Sequence, residues 1–193
     1  MKNHLIMAVL FPACAGLAIM TAFAKTENPK ISPEVKTVPK VDLGRYLGKW
    51  YEIATITMWF QKDCAGGTTA TYTLKDNGDV SVLNQCVQTD GKVKSANGVA
   101  WVVDKNTHAK LKVSFLPLGL KWFGGDYWVI DLGPNYEYAV VGHPSRQYGW
   151  ILSRTPELSK PALDQIVKNL TAQGYDFSKF KMTEQKKYLS GNK

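Results

Sequence analysis

The stretch Leu47-Gly48-Lys49-Trp50-Tyr51-Glu52-Ile53-Ala54 decides the fold of this chain. A glycine, which turns the backbone easily, is followed at once by a tryptophan and by an alternation of residues that is typical of a β-strand with one buried face. One face of this strand gathers Trp50, Glu52, Ala54 and Ile56. We interpret the stretch as the floor and first strand of a small β-barrel, whose other strands close around the indole ring.

The composition is consistent with one globular domain. The chain has 193 residues, of which 45% are hydrophobic, and this is enough to bury one core. The formal net charge of +8 would suit nucleic acid, an anionic membrane or an acidic ligand. The lysines alternate outward along the predicted strands and form no aromatic-lined basic stripe, so we expect no nucleic-acid binding.

Residues 1–24 have the features of a signal peptide. Lys2 precedes the apolar run 5–20, and Ala22-Phe23-Ala24 is the small-x-small pattern that signal peptidase accepts. We therefore predict cleavage after Ala24 and an exported protein, periplasmic or secreted.

The start of the mature chain leaves one alternative open. An outer-membrane lipoprotein anchored through Cys14 is the less favoured hypothesis, because Phe11 occupies the position where an aliphatic residue is usual. Residues 25–40 contain three prolines and four lysines and are predicted to be a flexible leader. The barrel domain, with its C-terminal helix, is predicted to span residues 41–193.

Eight strand signals follow one another at short intervals. The clearest hairpin is at Lys75-Asp76-Asn77-Gly78-Asp79, because Asn-Gly tolerates the positive φ that tight turns require. The predicted strands cover residues 48–57, 68–74, 80–86, 98–103, 109–116, 126–132, 136–142 and 147–154.

The last segment changes from the period of a strand to that of a helix. Ser159 is a good N-cap, Gly174 is a typical helix end, and a short strand within 177–182 is expected to follow. The helical period is carried by Leu163, Ile166, Val167 and Leu170. The predicted fold class is therefore all-β, an eight-stranded up-and-down antiparallel barrel with one C-terminal helix, since closure removes the exposed sheet edges.

The inward-facing positions mix small, medium and aromatic side chains. Such a mixture predicts an elongated apolar cavity with a few hydrogen-bonding groups, which is typical of a ligand site. Asn84 would bond either a ligand oxygen or a buried water. The predicted ligand-binding residues are Ala70, Tyr72, Leu74, Val82, Asn84, Ala100, Leu111, Val113, Phe115, Tyr127, Val129, Ala139, Val141, Tyr148 and Trp150.

Three motifs carry a family resemblance. Gly48-Lys49-Trp50 resembles the first lipocalin signature, Gly125-Asp126-Tyr127-Trp128-Val129-Ile130 the second, and Trp150-Ile151-Leu152-Ser153-Arg154-Thr155-Pro156 the third. The chain looks most like the bacterial lipocalins close to apolipoprotein D. This resemblance implies a barrel open at one end that carries a small hydrophobic ligand, such as a fatty acid or lysophospholipid.

The resemblance also implies a closed end. There Trp50 and Arg154 would meet as a structural plug, since a guanidinium stacked on an indole gains roughly 0.5–2 kcal/mol. The alternative role for Arg154 is to bind a ligand carboxylate. Glu52 is expected to be a hydrogen-bonded floor residue rather than a ligand contact.

Cysteine use points to one disulfide. In an oxidising compartment Cys64, before the second strand, and Cys86, at the end of the third, would meet across the hairpin. The alternative is a nucleophilic thiol, because one prostaglandin-isomerising lipocalin uses a cysteine in its barrel.

The loops at the open end carry two aromatic pairs. They are Trp59 with Phe60 and Trp122 with Phe123. Exposed apolar patches mark contact surfaces, so one hypothesis is a transient membrane contact, helped by Lys92, Lys94 and Arg146. The other is that the rings fold over the cavity as a lid.

Enzyme chemistry has little support in the sequence. His108 and His143 lie in different loops, no metal-ligand spacing is present, and no phosphate loop, nucleophile elbow or catalytic carboxylate pair occurs. We predict a non-enzymatic carrier without cofactor or metal, as a monomer or weak dimer. The alternative is a lipid-modifying enzyme of lipocalin fold.

Overall fold

Eight antiparallel strands follow one another around a closed barrel in the computed structural model, which describes residues 34–56, 58, 61–117 and 120–189. The ring closes where the first strand pairs with both the second and the eighth. The strands are β1 (Gly48–Ile56), β2 (Cys64–Leu74), β3 (Val80–Gln88), β4 (Val93–Val102), β5 (Lys110–Ser114), β6 (Gly125–Leu132), β7 (Tyr138–Gly142), β8 (Gly149–Ser153) and β9 (Phe180–Met182), which pairs with β1. The predicted fold class is confirmed.

One helix packs against the outside of the barrel. It begins after Ser159, whose side chain accepts a hydrogen bond from Ala162 N, and Gly174 follows its end with a φ of +80°. The apolar face of this helix is buried in an outer cluster with outward-facing barrel residues, including Ile130, Val140 and Ile151. The helices are α1 (Leu43–Tyr46), α2 (Lys160–Ala172), which is this one, and α3 (Lys186–Leu189).

The first strand changes face halfway along. Trp50 belongs to the core inside the barrel, whereas Ala54 pairs with Ile151 and lies in the outer cluster. A β-bulge between Glu52 and Ala54 adds one residue to β1 and so reverses the inside–outside alternation. The prediction that Ala54 and Ile56 share a face with Trp50 is therefore wrong.

The C-terminal segment fills a gap between β1 and β2. The two strands pair directly only over the first four residues of β1. Further along, Gln185 Nε2 donates hydrogen bonds to the backbone carbonyls of Glu52 and Thr68, each at 2.8 Å. Tyr188 packs on Gly66, where any larger side chain would collide with its ring. We call residues 183–188 the C-terminal latch.

Residues 34–40, the end of the predicted leader, lie against the barrel. Val38 N donates to Val129 O at 2.9 Å, and Val35 is buried in the outer cluster. Burial of Val35 and the packing of Val38 on the core fix the path of this part of the predicted leader along the barrel. The predictions for residues 1–33, which include the signal peptide and Cys14, lie outside the described residues.

The predicted disulfide is confirmed. Cys64 and Cys86 are bonded across β2 and β3 with their Cα atoms 5.7 Å apart. Neither sulfur is a free thiol in this state, so the nucleophilic cysteine considered above is not present.

Candidate functional site

Trp50 lies inside the barrel near the start of β1. Its side chain is completely buried, and its Nε1 donates to the Tyr46 carbonyl at 2.8 Å. The Arg154 guanidinium lies 3.6 Å from the centre of the indole ring and donates to the carbonyls of Arg45 and Lys49. The guanidinium is thus engaged by one aromatic face and two backbone carbonyls of the closed end.

Three tyrosines form a hydrogen-bonded bridge across the interior. The Tyr127 hydroxyl lies 2.8 Å from that of Tyr46 and 2.9 Å from that of Tyr72. Burial raises the pKa of Tyr72 to about 12 and raises those of Tyr46 and Tyr127 well above the usual range. All three hydroxyls are therefore neutral at physiological pH.

The interior around this bridge is packed, so the predicted elongated cavity does not extend through this part of the barrel. The cavity here measures only about 20 Å³, and holding one water needs roughly 10–15 Å³. Helix α1 explains the difference, because its side chains enter the barrel from below. The residues that line this small cavity are Val41, Leu43, Tyr46, Leu47, Tyr72, Val80, Val82, Ala100, Leu111, Val113, Tyr127 and Val129.

The half of the barrel nearer the mouth is more open. Ala96 and the buried Ala100 lie four residues apart on β4, in a continuous register, so both face the interior. Ala96 is nevertheless exposed. Gly125 pairs with the inward-facing Val113, and apart from its chain neighbours no atom of the described residues lies within 4 Å of the place where a Cβ would stand. Residues that face the interior can be exposed to solvent only where the interior is open to it. The barrel is therefore accessible from its open end, the mouth, at the positions of Ala96 and Gly125.

A polar group lies on the wall that carries β1, β2 and β3. Glu52 is 5% exposed, and its carboxylate accepts hydrogen bonds from Thr183 Oγ1 at 2.7 Å and from Gln61 Nε2 at 3.0 Å. Burial raises its pKa, and these two donors partly offset the rise. Gln61 Oε1 and Asn84 Oδ1 are buried without a described hydrogen-bond partner. We call Glu52, Gln61 and Asn84 the wall group.

Most of the predicted ligand-binding residues surround one interior, but three occupy other places. Leu74 is 52% exposed, because β1 begins opposite Tyr72 and leaves Leu74 beyond the floor. Phe115 follows the end of β5, covers Gly98 and is 39% exposed. Tyr148 precedes β8 and its ring meets that of His143 edge-on. The residues brought together are Ala70, Tyr72, Val82, Ala100, Leu111, Val113, Tyr127, Val129, Ala139, Val141 and Trp150. Asn84, the remaining predicted residue, belongs to the wall group.

The loop between β5 and β6 folds back along the outer wall. Lys121 forms an ion pair with Asp79 at 2.8 Å, and its ammonium lies 5.6 Å from the centre of the Trp101 ring. Trp122 and Phe123 are 92% and 77% exposed. These two rings therefore do not form the lid considered above, while Trp59 and Phe60 lie outside the described residues.

The basic residues near the mouth are engaged with other groups. Lys92 lies 2.9 Å from Asp90, and Lys94 lies 3.6 Å from Asp63. Arg146 Nε donates to the Gln173 carbonyl beyond the end of α2. These contacts reduce the electrostatic contribution that Lys92, Lys94 and Arg146 were predicted to make to a membrane contact.

The described part of the chain contains few groups that could support catalysis or metal binding. No grouping of three or more His, Cys, Asp or Glu side chains there could hold a metal ion. His108 lies between β4 and β5 and His143 follows β7, at opposite ends of the barrel. Among the described helices, none has both the length and the apolar character needed to cross a membrane.

Comparisons with known proteins agree with this geometry. Residues 41–185 match the family model of the lipocalin-like domain. The chain is 41% identical to temperature-induced lipocalin-1 of Arabidopsis thaliana, over 79% of this chain and 83% of that protein. It is 36% identical to outer membrane lipoprotein Blc of Escherichia coli, over 91% of this chain and 97% of that protein.

A mammalian relative and a solved structure extend the comparison. Apolipoprotein D of Macaca fascicularis is 34% identical, over 93% of this chain and 95% of that protein. Insecticyanin from the tobacco hornworm Manduca sexta superimposes with a TM-score of 0.64 at 26% identity, over 81% of this chain and 87% of that chain. The chain belongs to the lipocalin family.

Proposed function

We propose that this protein binds and carries a single-chain hydrophobic ligand, of the fatty acid or lysophospholipid class, in the upper half of its barrel. The observation that carries the proposal is the exposure of inward-facing positions near the mouth, at Ala96 and Gly125, above a packed floor. Trp50 and Arg154 act as the structural plug beneath that floor. Family membership supports binding of a small hydrophobic ligand, and no reactive constellation in the described residues calls for catalysis.

The site would hold the chain between apolar walls. Trp150 keeps partial exposure and supplies aromatic surface near the mouth, while Val113 and Tyr127 form the lower contact. Burying a sixteen-carbon chain at ~0.8 kcal/mol per methylene gives a gross gain of about 10 kcal/mol or more before ordering costs. Micromolar or tighter binding is expected.

A matched pair of tryptophan variants tests the site by calorimetric titration of palmitate or a lysophospholipid. Ala96→Trp fills the open half of the barrel and should weaken binding at least about tenfold, because displacing two methylenes costs roughly 1.6 kcal/mol. Ser95→Trp places the same ring on the outward face of the same strand and should leave binding unchanged. Equal affinity of both variants, or no binding by the unaltered protein, would refute the proposed site.

We also propose that the exposed patch around Trp122 and Phe123 contacts a membrane during ligand exchange. The double variant Trp122→Ala/Phe123→Ala should lose roughly tenfold or more in vesicle partitioning, because each ring buries a large apolar surface. Since Lys121 is paired with Asp79, the contact should depend little on anionic lipid.

Vesicle co-sedimentation measures this contact. Met182→Ala is the control, because it removes an exposed apolar side chain from β9, which pairs with β1 rather than with the strands that flank the Trp122 loop. Failure of the unaltered protein to co-sediment, or an equal loss with the control, would refute the membrane contact.

The proposed carrier works outside the cytoplasm. We infer export with cleavage after Ala24, and the Cys64–Cys86 disulfide supports an oxidising compartment. Amino-terminal sequencing of the mature protein tests this inference. A terminus at Cys14 would instead favour a lipid anchor.

A further inference from the structure

We propose that the wall group, Glu52 with Gln61 and Asn84, is a subsite for a ligand head group that carries an ammonium ion. This inference rests on the proposed function and deepens it, because it names the class of amphiphile that the barrel would prefer. The carrier proposal requires only that the ligand has an apolar chain, whereas the subsite requires a positively charged group at one end of that chain.

The wall group has more hydrogen-bond acceptors than donors. The two carboxylate oxygens of Glu52 each accept one described hydrogen bond, from Thr183 and from Gln61. A carboxylate offers about four lone-pair sites, so acceptor capacity is left over. Gln61 Oε1 and Asn84 Oδ1 are further buried oxygens without a described partner. A head group that donates several hydrogen bonds would match this excess.

The three residues occupy one wall of the barrel. Ala70 pairs with Trp50 on one side and with Asn84 on the other, and Glu52 is the next inward position after Trp50 along β1. Asn84 pairs in turn with Ala96, the inward position that remains exposed. The wall group therefore lies above the packed floor, at the level where the interior opens towards the mouth.

Charge distinguishes an ammonium from other donors. Neither described hydrogen-bond partner of Glu52 is a cation, and a buried carboxylate without a countercharge is costly. Arg154 is two residues beyond Leu152, which pairs with Glu52. Its guanidinium is already engaged by the Trp50 ring and by the carbonyls of Arg45 and Lys49. An ammonium would supply both the missing charge and three donors, a hydroxyl would supply one donor, and a carboxylate would add a like charge.

Three probes of equal chain length separate these cases in the unaltered protein. Dodecylamine, dodecanol and laurate are titrated calorimetrically at neutral pH, each below the concentration at which it aggregates. The expected order of affinity is amine, then alcohol, then carboxylate. The amine should bind roughly 10- to 100-fold more tightly than the alcohol, the range of a hydrogen bond to a charged group. Laurate binding as tightly as the amine would overturn the inference.

A matched pair of variants assigns the preference to the wall group. Glu52→Gln removes the charge but keeps the size, and Gln61 can turn its amide to satisfy the new side chain; circular dichroism checks its fold. It should abolish the amine preference while changing dodecanol affinity by less than about twofold. Asp90→Asn removes the same charge from an exposed turn at the mouth and should keep the preference.

The outcomes separate this inference from the carrier proposal. Binding of all three probes without preference, or an amine preference that survives Glu52→Gln, refutes the subsite and leaves the carrier intact. Absence of binding by any probe refutes both.

Discussion

Trp50→Ala is expected to lower the free energy of unfolding by about 3–5 kcal/mol, the usual range for removal of a buried tryptophan. The indole is completely buried, donates a hydrogen bond to Tyr46 and supports the Arg154 guanidinium. The loss should exceed the transfer free energy of the removed side-chain atoms, since the variant also leaves a cavity and removes the surface on which Arg154 stacks. Urea denaturation followed by far-ultraviolet circular dichroism measures the change.

Two variants calibrate this measurement. Trp122→Ala removes the same side chain from a position that is 92% exposed and should change stability by less than about 0.5 kcal/mol. Trp50→Phe keeps a ring but loses the indole N–H. Its loss of unfolding free energy should lie between those of Trp50→Ala and Trp122→Ala. A loss below about 1 kcal/mol for Trp50→Ala would mean that the closed end does not hold the barrel together.

The second large effect concerns the disulfide. Replacement of Cys64 and Cys86 by serine should cost about 3 kcal/mol in the chain-entropy model, for a sequence separation of 22. The local effect should be larger than this number suggests, because direct pairing of β2 with β1 ends at Thr69 and the disulfide anchors the remaining end of β2. Amide hydrogen exchange should therefore accelerate most between Cys64 and Thr68.

Reductant supplies the control for the disulfide variant. Reduction of the unaltered protein should reproduce the loss of stability, whereas the Cys64→Ser/Cys86→Ser variant should not respond. Equal stability of the oxidised and reduced proteins would contradict the expected contribution.

The elements with strong local signals were predictable. The Asn77-Gly78 turn, the Ser159 cap and the Gly174 end occur where the sequence placed them. Each depends on neighbouring residues alone. The same holds for the disulfide, since the hairpin between β2 and β3 brings its two cysteines together.

Features that depend on contacts distant in sequence were not predictable. The bulge after Glu52 has no local signal, and the polar start of β4, from Val93 to Asn97, is a strand because β3 supplies its hydrogen bonds. The packed floor was missed because parity counting along strands ignores helix α1, although Tyr46 stands only four residues before Trp50. Gln61 and Thr183 reach Glu52 from a loop and from the latch, and nothing near them in the sequence indicates it.

The C-terminal latch determines when, during synthesis, the contact between β1 and β2 can be completed. Gln185 joins Glu52 and Thr68 across 133 and 117 residues of sequence, so the contact between the first two strands is completed by a side chain that follows all eight barrel strands. A growing polypeptide can form its hairpins one by one as they emerge, but contacts of such long range come late. The wall can therefore close only after residue 185 has been synthesised, and a chain that stops before Gln185 should keep a gap between β1 and β2.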